Sequence, residues 1–360
     1  MKGFNNIYKD KTVLVTGHTG FKGSWLSIWL HELGAKVIGY ALDPYTERDN
    51  FVLSKLGEKI VDIRGDIRDK SKLEEVFNNY QPEFIFHLAA QPLVRLSYEN
   101  PVETYETNVM GTINVLEAIR KTKAAKVGIM ITTDKCYDNK EQLWGYRESD
   151  SMGGYDPYSS SKGAAEIAIN SWRLSFFNPE EYEKHSKSIA SVRAGNVIGG
   201  GDWAKDRIIP DCIKAIESGI PIEIRSPQSV RPWEHVLEPL SGYLMLGEKM
   251  YNNPVEYAEA WNFGPELSSI IPVWNIAQSV VNNYERGELK DVSDPNAVHE
   301  AKLLALDISK ARFKLGWVPT LNIDETIKYT VDWYKDYNNT EVYELCKQQI
   351  TDFSVKGGYE

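Results

Sequence analysis

The chain has 360 residues, 42% of them hydrophobic and 26% charged, with a formal net charge of −10. Those are globular values, which exclude a disordered chain or a fibre. An acidic balance without a basic block argues against nucleic acid or an anionic membrane surface as a partner.

Cys136, Cys212 and Cys346 form no CxxC pair, and the six histidines show no ligand-like spacing with cysteine or carboxylates. Neither a disulfide scaffold nor a metal site is therefore expected, and a reducing, cytoplasmic setting is. The N-terminus runs into a strand pattern without the apolar stretch of a signal peptide. No run approaches the roughly 18–20 apolar residues of a membrane span.

In the first two thirds, short apolar runs alternate with helical patterns, which predicts a doubly wound parallel α/β sheet of Rossmann type. Val13 to Thr16 and Lys36 to Tyr40 read as the first two strands. Between them Trp25, Leu26, Trp29, Leu30 and Leu33 recur at helical spacing, closed by Gly34. Strands are expected at Ile60 to Arg64, Phe84 to Leu88, Val127 to Thr132 and Ile189 to Ala194. Helices are expected near Lys72 to Asn79, Val102 to Lys121 and Ser159 to Ser175. After Asn196, Gly199, Gly200 and Gly201 open a stretch richer in Pro, Trp and Arg.

This reads as a smaller α/β lobe interleaved with the first. The expected division is 1–195 with a return segment at about 234–264 for the dinucleotide domain, and 196–233 with about 265–345 for the lobe. The polar tail beyond Asp336 is expected to pack late or fray. Trp25, Trp29, Trp172 and Trp333 fall on helical faces and read as core or subunit contacts.

The first strand ends in Thr-Gly-His-Thr-Gly-Phe-Lys-Gly, which places Gly17, Gly20 and Gly23 directly before a helix. The first glycine permits the turn, the second lets backbone approach a pyrophosphate, the third allows close helix packing, and the helix N-terminus favours negative charge. His18 is expected to serve this turn through its backbone, His87 to be a satisfied strand residue, and His31, His185 and His299 to be solvated. Asp43, after the second strand, is the candidate for the ribose hydroxyls and favours NAD over NADP, with Arg48 nearby. Asp66 and Ile67, after the third strand, are candidates to frame the adenine.

Tyr158 and Lys162 are four residues apart and so share a helix face, where a lysine cation beside a phenol favours the phenolate. Thr133, Asp134 and Lys135 follow a strand at its carboxyl end, the edge where open α/β sheets bind ligands.

Together the glycine turn, the His87-Leu-Ala-Ala-Gln91 segment, Thr132-Thr133-Asp134, the Tyr158/Lys162 pair and Arg193-Ala-Gly-Asn-Val-Ile-Gly199 resemble the extended short-chain dehydrogenases that modify nucleotide sugars. The resemblance covers nearly the whole chain. It implies NAD held by Gly17, Thr19, Gly20, Phe21, Gly23, Leu88, Ala89, Ala90, Thr107, Tyr158 and Lys162. It also implies a sugar nucleotide held by Gln91, Asn196, Arg207, Arg225 and Arg231, with Arg231 on the diphosphate. The helices around 102–121 and 159–175 would pair across a two-fold axis, giving a homodimer or homotetramer.

Within this family Asp134 points to the 4,6-dehydratases, whose members carry Thr-Asp-Glu where 4-epimerases usually lack the acid. Lys135 departs from that pattern, and the resemblance makes CDP-glucose the expected substrate, with a product destined for a surface polysaccharide such as O antigen. Tyr158 is then the base at the 4-hydroxyl and a protonated Asp134 the acid at C6. Lys135 is either the base at C5 or a cation that stabilises the enolate. A 4-epimerase and a catalytically silent NAD-binding protein remain the alternatives.

Overall fold

The structure is a computed structural model that describes residues 3–293 and 303–359; His299 lies outside them. Seven parallel strands form the main sheet: β1 (Thr12–Thr16), β2 (Lys36–Ala41), β3 (Val61–Arg64), β4 (Phe84–His87), β5 (Val127–Ile131), β6 (Ser188–Ala194) and β10 (Ala260–Phe263). Their order is β10-β6-β5-β4-β1-β2-β3. The chain leaves β1 in one direction and returns to its other side at β4, so a crevice opens at the carboxyl ends of β1 and β4. The expected Rossmann architecture is present.

The central strands are continuous apolar runs because both sheet faces are covered; every residue of β5 is buried. One face carries α1 (Phe21–Glu32) and α6 (Leu237–Asn252), whose Trp25, Trp29, Leu240 and Leu244 join the larger core. The other carries α2 (Lys70–Tyr80), α3 (Gly111–Lys121) and α4 (Pro157–Ser175). Asp156 starts α4 by accepting the Ser159 N–H at 2.9 Å, with Pro157 as the first helical residue. The helix expected over 102–121 is present: the backbone is helical from Pro101 through α3, with one π turn at Glu106–Met110 between Pro101–Tyr105 and α3.

Beyond β6 come β7 (Asn196–Ile198), α5 (Ile208–Ser218), β8 (Ile222–Ile224) and β9 (Val230–His235). After α6 and β10 follow β11 (Ile270–Pro272), α7 (Val273–Tyr284), β12 (Leu289–Asp291), α8 (Ile323–Asp336) and α9 (Val342–Gly357). They include a three-stranded sheet β11-β9-β7 and a β12-β8 pair. The tail does not fray: Val342, Cys346, Ile350 and Phe353 of α9 are buried in the main core. Their helical spacing, diluted by intervening polar residues, makes one apolar face. Among the described residues no helix is long and apolar enough to cross a membrane.

Candidate active site

The glycine turn closes over the crevice. Gly17 has φ +76°, and a Cβ there would lie 2.8 Å from the Ala89 nitrogen. At Gly23 a Cβ would lie 2.0 Å from the Gly17 carbonyl oxygen, whereas at Gly20 it would meet only that same oxygen at 3.4 Å. Two glycines are therefore demanded by backbone packing, and the third faces open space. Gly20 caps α1 with no side-chain hydrogen bond, so the first N–H groups of a twelve-residue helix remain for a ligand. A dinucleotide diphosphate fits this arrangement. Thr19 ties the turn to the end of β2 by donating to the Leu42 carbonyl at 3.0 Å.

His18 does more than lend its backbone. Its ring is fully buried, with Nε2 2.8 Å from Asp62 Oδ1, and burial holds its pKa below the ordinary value. A Cβ on Gly39 would fall 2.3 Å from that ring. A glycine inside a strand is the sequence signal for such a close approach.

Asp43 stands open at 87% side-chain exposure, 3.8 Å from Arg64 Nε, while Arg48 is engaged by Glu217 at 2.7 Å. Asp66 accepts from Arg68 at 2.7 Å. Ile67 is buried under α3, where a Cβ on Gly111 would come within 2.6 Å of it.

After β4, Leu88, Ala89 and Ala90 pass beside the turn, with Leu88 and Ala89 donating to the Thr16 carbonyl and hydroxyl at 3.1 and 3.3 Å. Gln91 is turned into its own loop. Its amide donates to the Leu93 carbonyl and the Thr104 hydroxyl and accepts from the Leu93 N–H, so both amide hydrogens are already engaged and none is free for a hexose. Asn108, next to the half-buried Thr107 in the π turn, holds this loop to α4 through Gln91 O at 3.1 Å and Ser161 Oγ at 2.9 Å.

Tyr158 and Lys162 are both buried on one face of α4. The Tyr158 N–H is anchored by Ser97 Oγ at 3.1 Å, and Lys162 Nζ donates to the Ile131 carbonyl at 3.4 Å, at the very end of β5. Burial lowers Lys162 to about 8, and the nearby charge of Lys22 pushes the same way. Burial raises Tyr158 to about 12, opposed by a hydrogen bond with the Thr133 side chain.

The Thr133 hydroxyl donates to Asp134 Oδ1 at 2.9 Å. Asp134 is 2% exposed, and its Oδ2 has no partner among the described residues. Burial raises its pKa against the pull of Lys135, Thr133 and Arg231, which favours the neutral acid. Lys135 is half-buried beside it. Phenol, hydroxyl and carboxyl thus form one chain of contacts at the mouth of the crevice.

A buried network that sequence reasoning missed holds this geometry. Glu166, one turn beyond Lys162, accepts from Thr132, from Ser191 at 2.8 Å and from Arg193 at 2.8 Å. Arg193 also donates to Tyr137 Oη, which donates in turn to Asn262 at 2.8 Å. A lone arginine in an apolar strand was the available signal, since a buried cation needs a partner. Arg193→Met should strand the Glu166 carboxylate and cost about 3–5 kcal/mol. Denaturant unfolding checks this, and Arg193→Met combined with Glu166→Leu should recover part of the loss.

The arginines divide. Arg231 reaches Asp134 electrostatically and donates to the Val230 carbonyl at 2.8 Å. Arg207 pairs with Asp202 at 2.7 Å and favours the Tyr158 phenolate. Arg225 instead binds Asp206 at 2.8 Å and lines a separate surface depression with Lys214, Glu223 and Lys290. Asn196 begins β7 opposite Trp233, next to Gly195, where a Cβ would lie 3.6 Å from Asp134 Oδ2.

Residues 14–330 match the family model described as GDP-mannose 4,6 dehydratase. The chain is 50% identical over 349 residues to the CDP-glucose 4,6-dehydratase of Salmonella typhimurium, covering 97% of each. Among solved structures it is similar to the UDP-glucose 4-epimerase of Thermotoga maritima (TM-score 0.76, 23% identity, 91% of this chain and 100% of that one). It is also similar to the dTDP-glucose 4,6-dehydratase of Bacillus anthracis in complex with NAD (TM-score 0.75, 20% identity, 93% and 99%). With its Rossmann sheet, glycine turn and Tyr158/Lys162 helix, the chain belongs to the GDP-mannose 4,6 dehydratase family, within the extended short-chain dehydrogenases that its motifs resemble.

Proposed function

We propose that this protein removes water from CDP-glucose to give CDP-4-dehydro-6-deoxyglucose, using NAD that is regenerated in each turnover. The observation that carries the reading is the buried Asp134 carboxyl, with one oxygen unpartnered, joined through Thr133 to Tyr158. An epimerase needs no proton donor for a leaving hydroxyl. The cytidine base is supported by the 50% identity to the Salmonella protein.

Gly17, Gly20, Gly23 and the α1 N-terminus would hold the cofactor diphosphate, Asp43 the adenosine ribose, and Tyr158 with Lys162 the nicotinamide ribose. NAD held there would supply the hydride acceptor for C4 and the hydride donor for C6. Tyr158 accepts the proton of the 4-hydroxyl, a transfer that the neighbouring Lys162 and Arg207 cations favour. The ketone formed at C4 acidifies C5, and Lys135 faces that step either as the base, which gives the proton back to C5 once C6 has been reduced, or as a cation beside the enolate, with water then exchanging the C5 proton. Asp134, kept neutral by burial, donates its proton to the C6 hydroxyl, which leaves as water. Arg231, Arg207 and Asn196 would hold the sugar nucleotide, with residues 196–233 and about 265–345 as its lobe and 234–264 returned to the main sheet.

Val102, Tyr105 and Met110 on the segment before α3, with Ile167 and Leu174 on α4, leave large apolar side chains exposed. We assign this surface to a homodimer, or to a tetramer built on it. A cytoplasmic location is supported by three free, buried thiols.

The test is incubation with NAD and, separately, CDP-, dTDP-, UDP- and GDP-hexoses, followed by mass and NMR. Loss of one water from CDP-glucose alone is expected. Inversion at C4 with no change of mass would replace this reading by an epimerase.

A further inference from the structure

An arginine beside the end of β2 decides whether the adenosine ribose can carry a phosphate, and two arginines stand near Asp43. Arg48 is committed elsewhere. Its Nη2 lies 2.7 Å from Glu217 and 2.5 Å from Tyr337 Oη, and its guanidinium carbon is 3.5 Å from the centre of the Trp203 ring, so it ties the loop after β2 to the second lobe. Arg64 is the last residue of β3 and pairs with Ala41, the last of β2, so it shares one carboxyl edge of the sheet with Asp43. Its Nη1 donates to the Leu42 carbonyl at 3.2 Å, the same oxygen that takes the Thr19 hydroxyl of the glycine turn at 3.0 Å. One carbonyl thus joins this guanidinium to the diphosphate cradle.

The side chains behind Arg64 fix the way it faces. Asp62, two residues earlier on β3 and so on the same face of the strand, meets Arg64 Nη2 at 2.8 Å with one oxygen and His18 Nε2 at 2.8 Å with the other. Burial opposes ionisation of Asp62, but its bonds and charge contacts with His18 and Arg64 outweigh that and hold its pKa below the ordinary value. Side-chain exposure rises along the row, from 0% at His18 to 20% at Asp62, 35% at Arg64 and 87% at Asp43. The Asp62 carboxylate therefore lies on the inner side of the guanidinium, and the outer side is turned to Asp43, with Nε 3.8 Å from Oδ1. Phe51 closes a further side, its ring centre 4.8 Å from the guanidinium carbon. At 3.8 Å the contact between Arg64 and Asp43 is no hydrogen bond, so the exposed carboxylate can leave it for a ribose hydroxyl.

We propose that Arg64 is a ready-made receptor for a phosphate on the adenosine ribose, and that Asp43 is the group that keeps the site selective for NAD. The inference rests on the reading of NAD as cofactor with Asp43 at its ribose. An ionised carboxylate accepts from ribose hydroxyls and repels a phosphate, whereas a guanidinium offers phosphate oxygens a fork of donors. With Asp43 neutralised, the ribose would face the cationic edge of an ion pair whose anion is turned inward. Selection against NADP would then depend on one exposed side chain, and a single substitution would reverse it.

Binding, not turnover, tests this. Dissociation constants of NAD and NADP would be measured by calorimetry for wild type, Asp43→Asn, Arg64→Met, Arg64→Gln, Arg64→Lys and each Arg64 variant combined with Asp43→Asn. Wild type should favour NAD. Asp43→Asn should shift the affinity ratio about tenfold or more toward NADP, as expected for removing one partly screened charge at close range, and added salt should shrink the affinity for NADP in this variant. Arg64→Met or Arg64→Gln on that background should abolish most of the shift, while Arg64→Lys, which keeps the charge and loses the fork, should retain part of it. The same pattern should appear with 2′,5′-ADP against 5′-AMP, which confines the effect to the adenosine end. If wild type binds NAD but Asp43→Asn gains nothing for NADP, or gains as much when Arg64 is neutral, Arg64 is a tie between strands and the inference is overturned. Wild-type protein that binds neither dinucleotide overturns the cofactor reading, and this inference with it.

Discussion

Tyr158→Phe should still bind CDP-glucose, and NAD through the glycine turn and Lys162, yet lose about 10²–10⁴-fold in turnover, the usual contribution of a positioned general base. The substitution removes one oxygen from a buried ring whose backbone anchor, the Ser97 hydroxyl on the Tyr158 N–H, is untouched. Its hydroxyl partner, Thr133, keeps its bond to Asp134, so little stability should be lost. The loss must fall on the first chemical step. Stopped-flow absorbance should show no reduced nicotinamide, and a variant that reduces the cofactor at the wild-type rate would remove Tyr158 from that step.

Asp134→Asn should fail later. The amide keeps the size and the contact with Thr133 but has no acidic proton to give, so oxidation at C4 proceeds while water loss slows by about 10²–10⁴-fold. Reduced nicotinamide should then build up with a keto-sugar that retains its C6 oxygen, visible by absorbance and mass together. Wild-type rates of dehydration in this variant would refute the assignment of the acid. The two variants thus separate the halves of the reaction, one blocking before the cofactor is reduced and the other after.

What the sequence made legible follows contact range. The β1 turn, the first helix and the Tyr158/Lys162 spacing are local patterns, each determined by residues within a few positions, and the structure brings their side chains to one crevice. The buried ties are not local. Glu166 and Arg193 are on different elements, and nothing near either residue announces its partner. Gln91 shows the converse limit: its position after β4 is readable, but the bonds that turn its amide to Leu93 and Thr104 depend on how the loop closes. The helix Val342–Gly357 was hidden because its apolar residues are spread thinly among polar ones, and the three-residue strands β7, β8, β11 and β12 are too short to leave a period.

The C-terminal helix α9, where the sequence led to the expectation of a late-packing or fraying tail, closes the back of the cofactor domain. Phe353 of α9 sets its ring 5.9 Å from Trp29 of α1, Tyr343 hydrogen-bonds His31 at 2.6 Å, and Tyr359 stacks on Phe4. The apolar back of the cradle helix is thus closed by segments translated long after it. A growing chain that already contains every residue of the glycine turn, Tyr158 and Lys162 still lacks Phe353 over Trp29, so that side of α1 stays open to chaperones or to misassembly until α9 is made.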